Sequence, residues 1–97
     1  MGKPKYYWYY LVKKMILELP AGEDSLQGYI FQKAIDDAIK ETRLLPNGDY
    51  RVQAIQYILI TKRMDYQAAA TTLNFDVNTI KRWIASFIKL VGKKAGF

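Results

Sequence analysis

Apolar side chains recur at helical spacing after residue 30, where the chain shows its cleanest periodicity. The stripe consists of Phe31, Ala34, Ile35, Ala38, Ile39 and Thr42. Residues three and four positions apart share one face of an α-helix, so this spacing predicts an amphipathic helix with a narrow buried face. Asp36 and Lys40 fall on the opposite side, in the order that favours an i,i+4 ion pair.

An earlier helix is predicted from Pro4 to Leu19, because proline suits the first turn of a helix. Its apolar residues at helical spacing are Trp8, Leu11, Val12, Met15 and Leu19. The Pro-Ala-Gly sequence at residues 20–22 ends this helix. Residues 23–25 then offer acidic and capping side chains to the helix that follows.

The segment from Tyr50 to Lys62 is ambiguous in isolation. The Pro-Asn-Gly turn signal at residues 46–48 precedes it, and Asn-Gly also favours β-hairpins. Its apolar residues, which would also suit a strand, are Val52, Ile55, Tyr57, Ile58 and Ile60. We predict a helix, because polar and apolar residues do not alternate cleanly and the motif that follows needs a supporting helix.

The stretch from Met64 to Phe87 has the pattern of two helices joined by a tight turn. Asp65 is placed to cap the first helix and Asp76 to cap the second. Asn74 falls where the chain turns, a position that tolerates Asn because φ is often positive there. The two capping residues and the turn residue therefore divide this stretch into helix, turn and helix.

The apolar residues of this stretch agree with the same division. Ala70 is small enough for the closest approach of two crossing helices, and Leu73 and Phe75 are apolar on either side of the turn. The buried side of the second helix is formed by Ile80, Trp83, Ile84 and Phe87. The pattern predicts a helix-turn-helix.

The outer face of that second helix is polar and basic. At about 100° per residue, Asn78, Arg82 and Lys89 lie opposite the buried side, with Lys81 at the flank. Asn pairs with adenine and Arg with guanine in the major groove, and Thr79 is placed to meet a phosphate. These five are candidate DNA-binding residues. An ordinary amphipathic helix with solvated charges is the alternative.

The charge of the chain is unevenly distributed. Residues 1–50 hold seven basic and seven acidic residues, whereas residues 51–97 hold eight basic residues and two acids, a net charge of +6. Such asymmetry indicates a surface for a polyanion. The candidate phosphate contacts outside the reading face are Arg51, Lys62, Arg63, Lys93 and Lys94.

The composition argues against an enzyme. The chain has no cysteine and no histidine, which removes disulfides, the commonest metal ligand and the commonest general base. Asp36, Asp37 and Glu41 resemble a metal cluster but are better explained as a solvated helix face. The apolar stretch from Tyr6 to Leu19 is too short to span a bilayer. We expect a cytoplasmic protein that uses no metal or cofactor and does not enter a membrane.

The run Tyr66-Gln-Ala-Ala-Ala-Thr-Thr-Leu-Asn-Phe-Asp-Val-Asn-Thr-Ile-Lys-Arg-Trp83 resembles region four of sigma factors. It is still more similar to small phage regulators of late transcription, the RinA and ArpU kind. The similarity covers about residues 42–97, with Asn74 in place of the commoner Gly and Asp76 in place of the commoner Ser. It implies a phage or prophage DNA-binding regulator in the cytoplasm of a bacterial host.

We therefore predict an all-α fold of four to five helices, with a helical support at residues 1–45 and a helix-turn-helix DNA-binding domain at residues 46–97. The expected function is sequence-selective binding of double-stranded DNA that regulates transcription. A small terminase subunit that marks DNA for packaging, and a protein-interaction module with a basic face, remain alternatives. The aromatic run Tyr6–Tyr10 is expected in the core or a homodimer interface, with RNA polymerase or nucleic acid as other partners.

Overall fold

Every regular element of the computed structural model, which describes residues 8–18 and 26–97, is helical. The helices are α1 (Tyr9–Glu18), α2 (Leu26–Arg43), α3 (Gly48–Ile55), α4 (Tyr66–Leu73) and α5 (Val77–Lys94). A π-helical segment, Gln56–Ile60, continues α3 without a break. The prediction of an all-α fold is confirmed for the part of the chain that the structure describes.

The last helix, α5, lies at the centre of the packing and contacts each of α1, α2, α3 and α4. Its buried residues are Ile80, Trp83, Ile84, Phe87, Ile88, Val91 and Gly92. They include the whole buried side that the sequence predicts and extend it to the end of the helix. Because four helices cover α5, its buried face is much wider than that of an ordinary surface helix.

Helix α2 buries the predicted stripe. Phe31, Ala34, Ile35, Ala38 and Thr42 are buried, and Ile39 is half-buried. The predicted ion pair between Asp36 and Lys40 is not formed. Instead the Nε2 of Gln32 donates a hydrogen bond to Asp36 over 3.2 Å, and Lys33 pairs with Asp37 over 3.9 Å.

Helix α1 and the residue before it pack through three side chains spaced four residues apart, Trp8, Val12 and Ile16. The prediction that Leu11 belongs to the buried stripe is wrong, since its side chain is 52% exposed. One face of this helix meets α5 and the π-helical segment, and Leu11 lies well outside that face. Pro4, Leu19 and the predicted capping residues 23–25 lie outside the described residues.

The turn before α3 starts a helix and not a hairpin. Asn47 adopts the left-handed conformation (φ 58°), and Gly48 opens α3 against the backbone of Arg43, where a Cβ would overlap the Arg43 carbonyl. The helix prediction for Tyr50–Lys62 is confirmed, although the helix widens into a π turn. Lys62 ends this segment with a φ of 56°.

Trp8, the residue before α1, packs directly against a glycine of α5. A Cβ built on Gly92 would overlap the six-membered ring of Trp8, and the Trp8 ring also packs on Phe97 with 5.8 Å between centroids. Glycine often ends a helix, but α5 continues past Gly92 through Lys94. This glycine therefore permits close packing of a tryptophan and does not end the helix.

We predict opposite effects of Gly92→Ala in two backgrounds. In the natural chain the added methyl group meets Trp8, so the free energy of unfolding should fall by about 1–3 kcal/mol. In a Trp8→Ala background the overlap is gone, and the same change should stabilise by about 0.5–1 kcal/mol because alanine is the better helix former. Urea unfolding of the four proteins measures both effects. Equal effects in the two backgrounds would contradict the proposed contact.

Candidate nucleic-acid interface

Helices α4 and α5 are joined by three residues whose conformations are each fixed by the backbone or by a cap. Asp65 caps α4 by accepting the Ala68 N–H over 2.8 Å. Asn74 ends α4 in the left-handed conformation (φ 60°), and the Phe75 N–H donates to the Ala70 carbonyl over 3.0 Å. Asp76 caps α5 by accepting the Asn78 N–H over 3.0 Å. The predicted caps and the predicted left-handed turn are confirmed.

The ring of Phe75 fills the space beside this turn, as predicted. Its centroid lies 4.7 Å from that of Trp83 and 5.3 Å from that of Tyr50, both at steep interplanar angles. Ala69 and Ala70 of α4 are buried, so α4 approaches its neighbours closely. Aromatic pairs of this geometry add to the free energy gained by burial, so they stabilise the packing of the turn against α3 and α5.

The face of α5 that points away from the other helices is polar and basic. Asn78, Arg82 and Lys93 are exposed, and Thr79 and Lys89 are half-buried. The exposed and half-buried side chains between Asn78 and Lys93 include no acid. At 1.5 Å per residue, Lys93 lies about 16 Å along the helix from Arg82 on nearly the same side. Lys93 is therefore part of this face, although the sequence pattern places it outside the reading face.

The guanidinium of Arg82 is held by its own helix. Its Nη2 donates a hydrogen bond to the Thr79 hydroxyl over 3.2 Å, one turn earlier. This contact restricts the conformations of the long Arg82 side chain. Lys81 lies at the flank of the same face, as predicted, and is exposed.

Three of the predicted phosphate contacts have partners within the protein. Arg51 donates from Nε to the Pro46 carbonyl over 2.8 Å and lies 5.5 Å from the Trp83 ring. Lys62 donates to the Leu17 carbonyl at the end of α1. Lys94 pairs with Glu41 of α2 over 2.7 Å, on the side of α5 that faces the core. These three side chains help to hold helices together.

Arg63 and Lys93 differ from these three residues. Both side chains are exposed, and neither has a side-chain partner among residues 8–18 and 26–97. Their charges are therefore available to an anionic ligand without the loss of an intramolecular contact.

The structure also adds residues to this region that the sequence did not indicate. The Nζ of Lys13, on α1, donates a hydrogen bond to the Tyr66 hydroxyl over 3.4 Å. Lys81 approaches the same ring, with its Nζ 6.0 Å from the centroid. Lys13 and Tyr66 are 53 positions apart, so no local pattern signals their contact.

The aromatic run near the start of the chain divides between core and surface. Trp8 is buried, Tyr9 is half-buried and Tyr10 is 77% exposed, while Tyr6 and Tyr7 lie outside the described residues. Burial raises the pKa of Tyr9 above its ordinary value, and the neighbouring phenols of Tyr66 and Tyr10 raise it further. The expected core position is thus confirmed for Trp8.

The described residues contain neither a metal-binding cluster nor a membrane-spanning helix. Among the residues that the structure describes, no three Asp or Glu side chains are grouped so as to hold a metal ion. No described helix is long and apolar enough to cross a membrane.

No model of a known protein family matches the chain, and neither the curated proteins nor the solved structures give a significant match. The similarity to phage regulators and to region four of sigma factors therefore stays a prediction from the sequence.

The raised pKa of Tyr9 predicts a pH dependence of stability. The folded state favours the neutral phenol, so its contribution is complete below the ordinary value of 10.0 and is lost as the pH rises through the higher folded value. Tyr9→Phe should flatten the alkaline decline in the free energy of unfolding, because phenylalanine has no proton to lose. Chemical unfolding on both sides of pH 10.0 measures this decline. Tyr29→Phe, at an exposed tyrosine of α2, is the control, and an equal flattening there would refute the assignment to Tyr9.

Proposed function

We propose that this protein binds double-stranded DNA sequence-selectively and regulates transcription, with α4 and α5 acting as a helix-turn-helix. The observation that carries the proposal is the outward face of α5, where exposed Asn78 and Arg82 lie one turn apart on a helix fixed by a capped three-residue turn. Asn and Arg are the side chains that pair bidentately with adenine and guanine in the major groove.

The dimensions of α5 suit this role. Its 18 residues span about 27 Å, whereas the major groove is about 12 Å wide. The first half of the helix is expected to lie in the groove, and Lys93 to reach the phosphates at its edge. Ala85 and Ser86 are small, so the backbone of α5 can approach the base edges closely.

The distribution of charge supports a polyanionic ligand. The net charge of residues 51–97 is +6, and Arg63, Arg82 and Lys93 add their charges without a carboxylate partner among the described residues. Such charges release counterions from DNA when they neutralise phosphates, so binding should weaken as salt is added. Selection of preferred duplexes from a random pool would provide the binding site needed for the tests below.

Arg82 and Lys93 should contribute to binding in different ways. Arg82→Ala should cost about 1–3 kcal/mol on the selected duplex and much less on a random one, because a base contact is lost. Lys93→Ala should weaken binding to both duplexes about equally and reduce the slope of log affinity against log salt by about 0.9. Titrations at several salt concentrations give both quantities.

Lys40→Ala is the control for these measurements, because Lys40 is an exposed lysine on α2. Equal losses on both duplexes for Arg82→Ala would mean that Arg82 contacts only the DNA backbone. If the natural protein shows no salt-dependent affinity for any duplex, the proposed function is wrong.

The carboxylate of Asp76 caps α5 and also places a negative charge near the proposed groove, and two substitutions separate these effects. Asp76→Ser keeps a side chain that caps helices well and removes one negative charge near the proposed groove. We expect nearly unchanged stability and tighter binding to every duplex, with the gain shrinking as salt screens the interaction. Asp76→Ala should gain affinity similarly but lose about 1 kcal/mol of stability. Unchanged affinity in both variants would place the end of α5 away from the phosphates.

A further inference from the structure

Side chains from three helices meet at Tyr66, beside the proposed reading face. Lys13 comes from α1, Tyr66 is the first residue of α4, and Lys81 comes from α5. The Nζ of Lys13 lies 3.4 Å from the Tyr66 Oη, and the ammonium groups of Lys13 and Lys81 lie 5.9 Å and 6.0 Å from the ring centroid. Two cations thus share one phenol.

The hydrogen bond leaves the phenol able to bind an anion. A nitrogen that is 3.4 Å from Oη and 5.9 Å from the centroid lies beyond the hydroxyl, at the edge of the ring. An ammonium only donates, so Oη is the acceptor in this contact and its own proton remains available for donation. A phosphate oxygen accepts hydrogen bonds from both a phenol and an ammonium.

The charges of this cluster are not balanced within the described residues. The ion pairs there join Lys33 to Asp37 and Lys94 to Glu41, and neither Lys13 nor Lys81 has a carboxylate partner. The ammonium groups of Lys13 and Lys81 repel each other. A bound anion would attract both of them and so offset this repulsion. Lys81 is exposed and Lys13 and Tyr66 are half-buried, so the cluster is open to solvent.

The cluster also lies where a DNA strand would pass. Lys81 follows Asn78 by three residues at the flank of the outward face of α5. Helix α1 packs along α5 through Trp8 and Gly92, so α1 forms one border of that face. A helix that enters the major groove has a sugar-phosphate strand at its flank.

We propose that Lys13, the Tyr66 hydroxyl and Lys81 form a binding site for one backbone phosphate of the duplex, a proposal that rests on the proposed function. Helix α1 then takes part in binding DNA directly, in addition to supporting α5. The ammonium groups supply charge, and the hydroxyl supplies a directed hydrogen bond that fixes the position of the strand beside α5.

Single substitutions test the site by two different signatures. Lys13→Gln and Lys81→Gln each remove one charge, so each should reduce the slope of log affinity against log salt by about 0.9. Tyr66→Phe keeps the ring and the charges but loses the hydroxyl, so affinity should fall about 2–10-fold with an unchanged slope. Thermal unfolding of each variant checks that the fold is kept.

Lys14→Gln is the matched control, since Lys14 is an exposed lysine of the same helix, about 100° around it from Lys13. Lys14→Gln should reduce the affinity for DNA, and the slope of log affinity against log salt, much less than Lys13→Gln does. If Arg82→Ala weakens binding as proposed but Lys13→Gln and Tyr66→Phe behave like Lys14→Gln, this inference is wrong and the proposed function stands. If the natural protein binds no duplex, both fail.

Neutral methylphosphonate linkages, placed one at a time along the selected duplex, identify the phosphate. At one position the neutral linkage should weaken DNA binding by the natural protein. It should weaken binding by Lys13→Gln and Tyr66→Phe much less, because those variants have already lost the contact. If the effects of the substitution and of the methylphosphonate linkage simply add at every position, the proposed phosphate site is wrong. Inorganic phosphate is the other possible source of this anion. Binding of inorganic phosphate that Tyr66→Phe abolishes, together with unchanged duplex affinity, would overturn the assignment to DNA.

Discussion

The burial of α5 along its whole length is the constraint on which the other features of this structure depend. Ile80, Ile84, Ile88 and Val91 are fully buried, and each such side chain contributes about 1.5–3 kcal/mol. The net free energy of unfolding of a small domain is only about 5–15 kcal/mol, so the loss of even one of these buried side chains would remove a substantial fraction of it. Helices α1, α2, α3 and α4 cover most of the surface of α5, and one strip along it faces solvent. On that strip lie Asn78, Arg82, Lys89 and Lys93.

The path of the chain around α5 depends on three residues in the left-handed conformation. Asn47 precedes α3, Lys62 follows the π-helical segment and Asn74 ends α4. Asparagine adopts this conformation with little strain, whereas lysine does so rarely. The Nζ of Lys62 also donates to the Leu17 carbonyl, a contact that joins the end of α1 to the segment before α4. The geometry of the proposed reading helix thus depends on contacts far from it in the sequence.

The basic side chains that the structure describes differ in their surroundings. Arg51, Lys62 and Lys94 contact carbonyls, an aromatic ring or a carboxylate inside the protein and hold its helices together. Arg82 and Lys93 point away from the packed helices. A count of basic residues therefore overestimates the number of charges that are free of partners within the protein. The net charge of residues 1–50 is zero, so the charge distribution gives no sign that Lys13 of α1 lies beside Tyr66 of α4.

The sequence by itself determined the elements whose signals are local. Helical periodicity identified α2, and short-range capping and turn chemistry identified both caps and the turn at Asn74, because these signals act within a few residues. Packing in three dimensions decided the rest. It buried Ile16 and exposed Leu11, seated Trp8 on Gly92, paired Lys94 with Glu41 and brought Lys13 to Tyr66. Those contacts join residues far apart in the chain, and no pattern within a single helix records which neighbour it will meet.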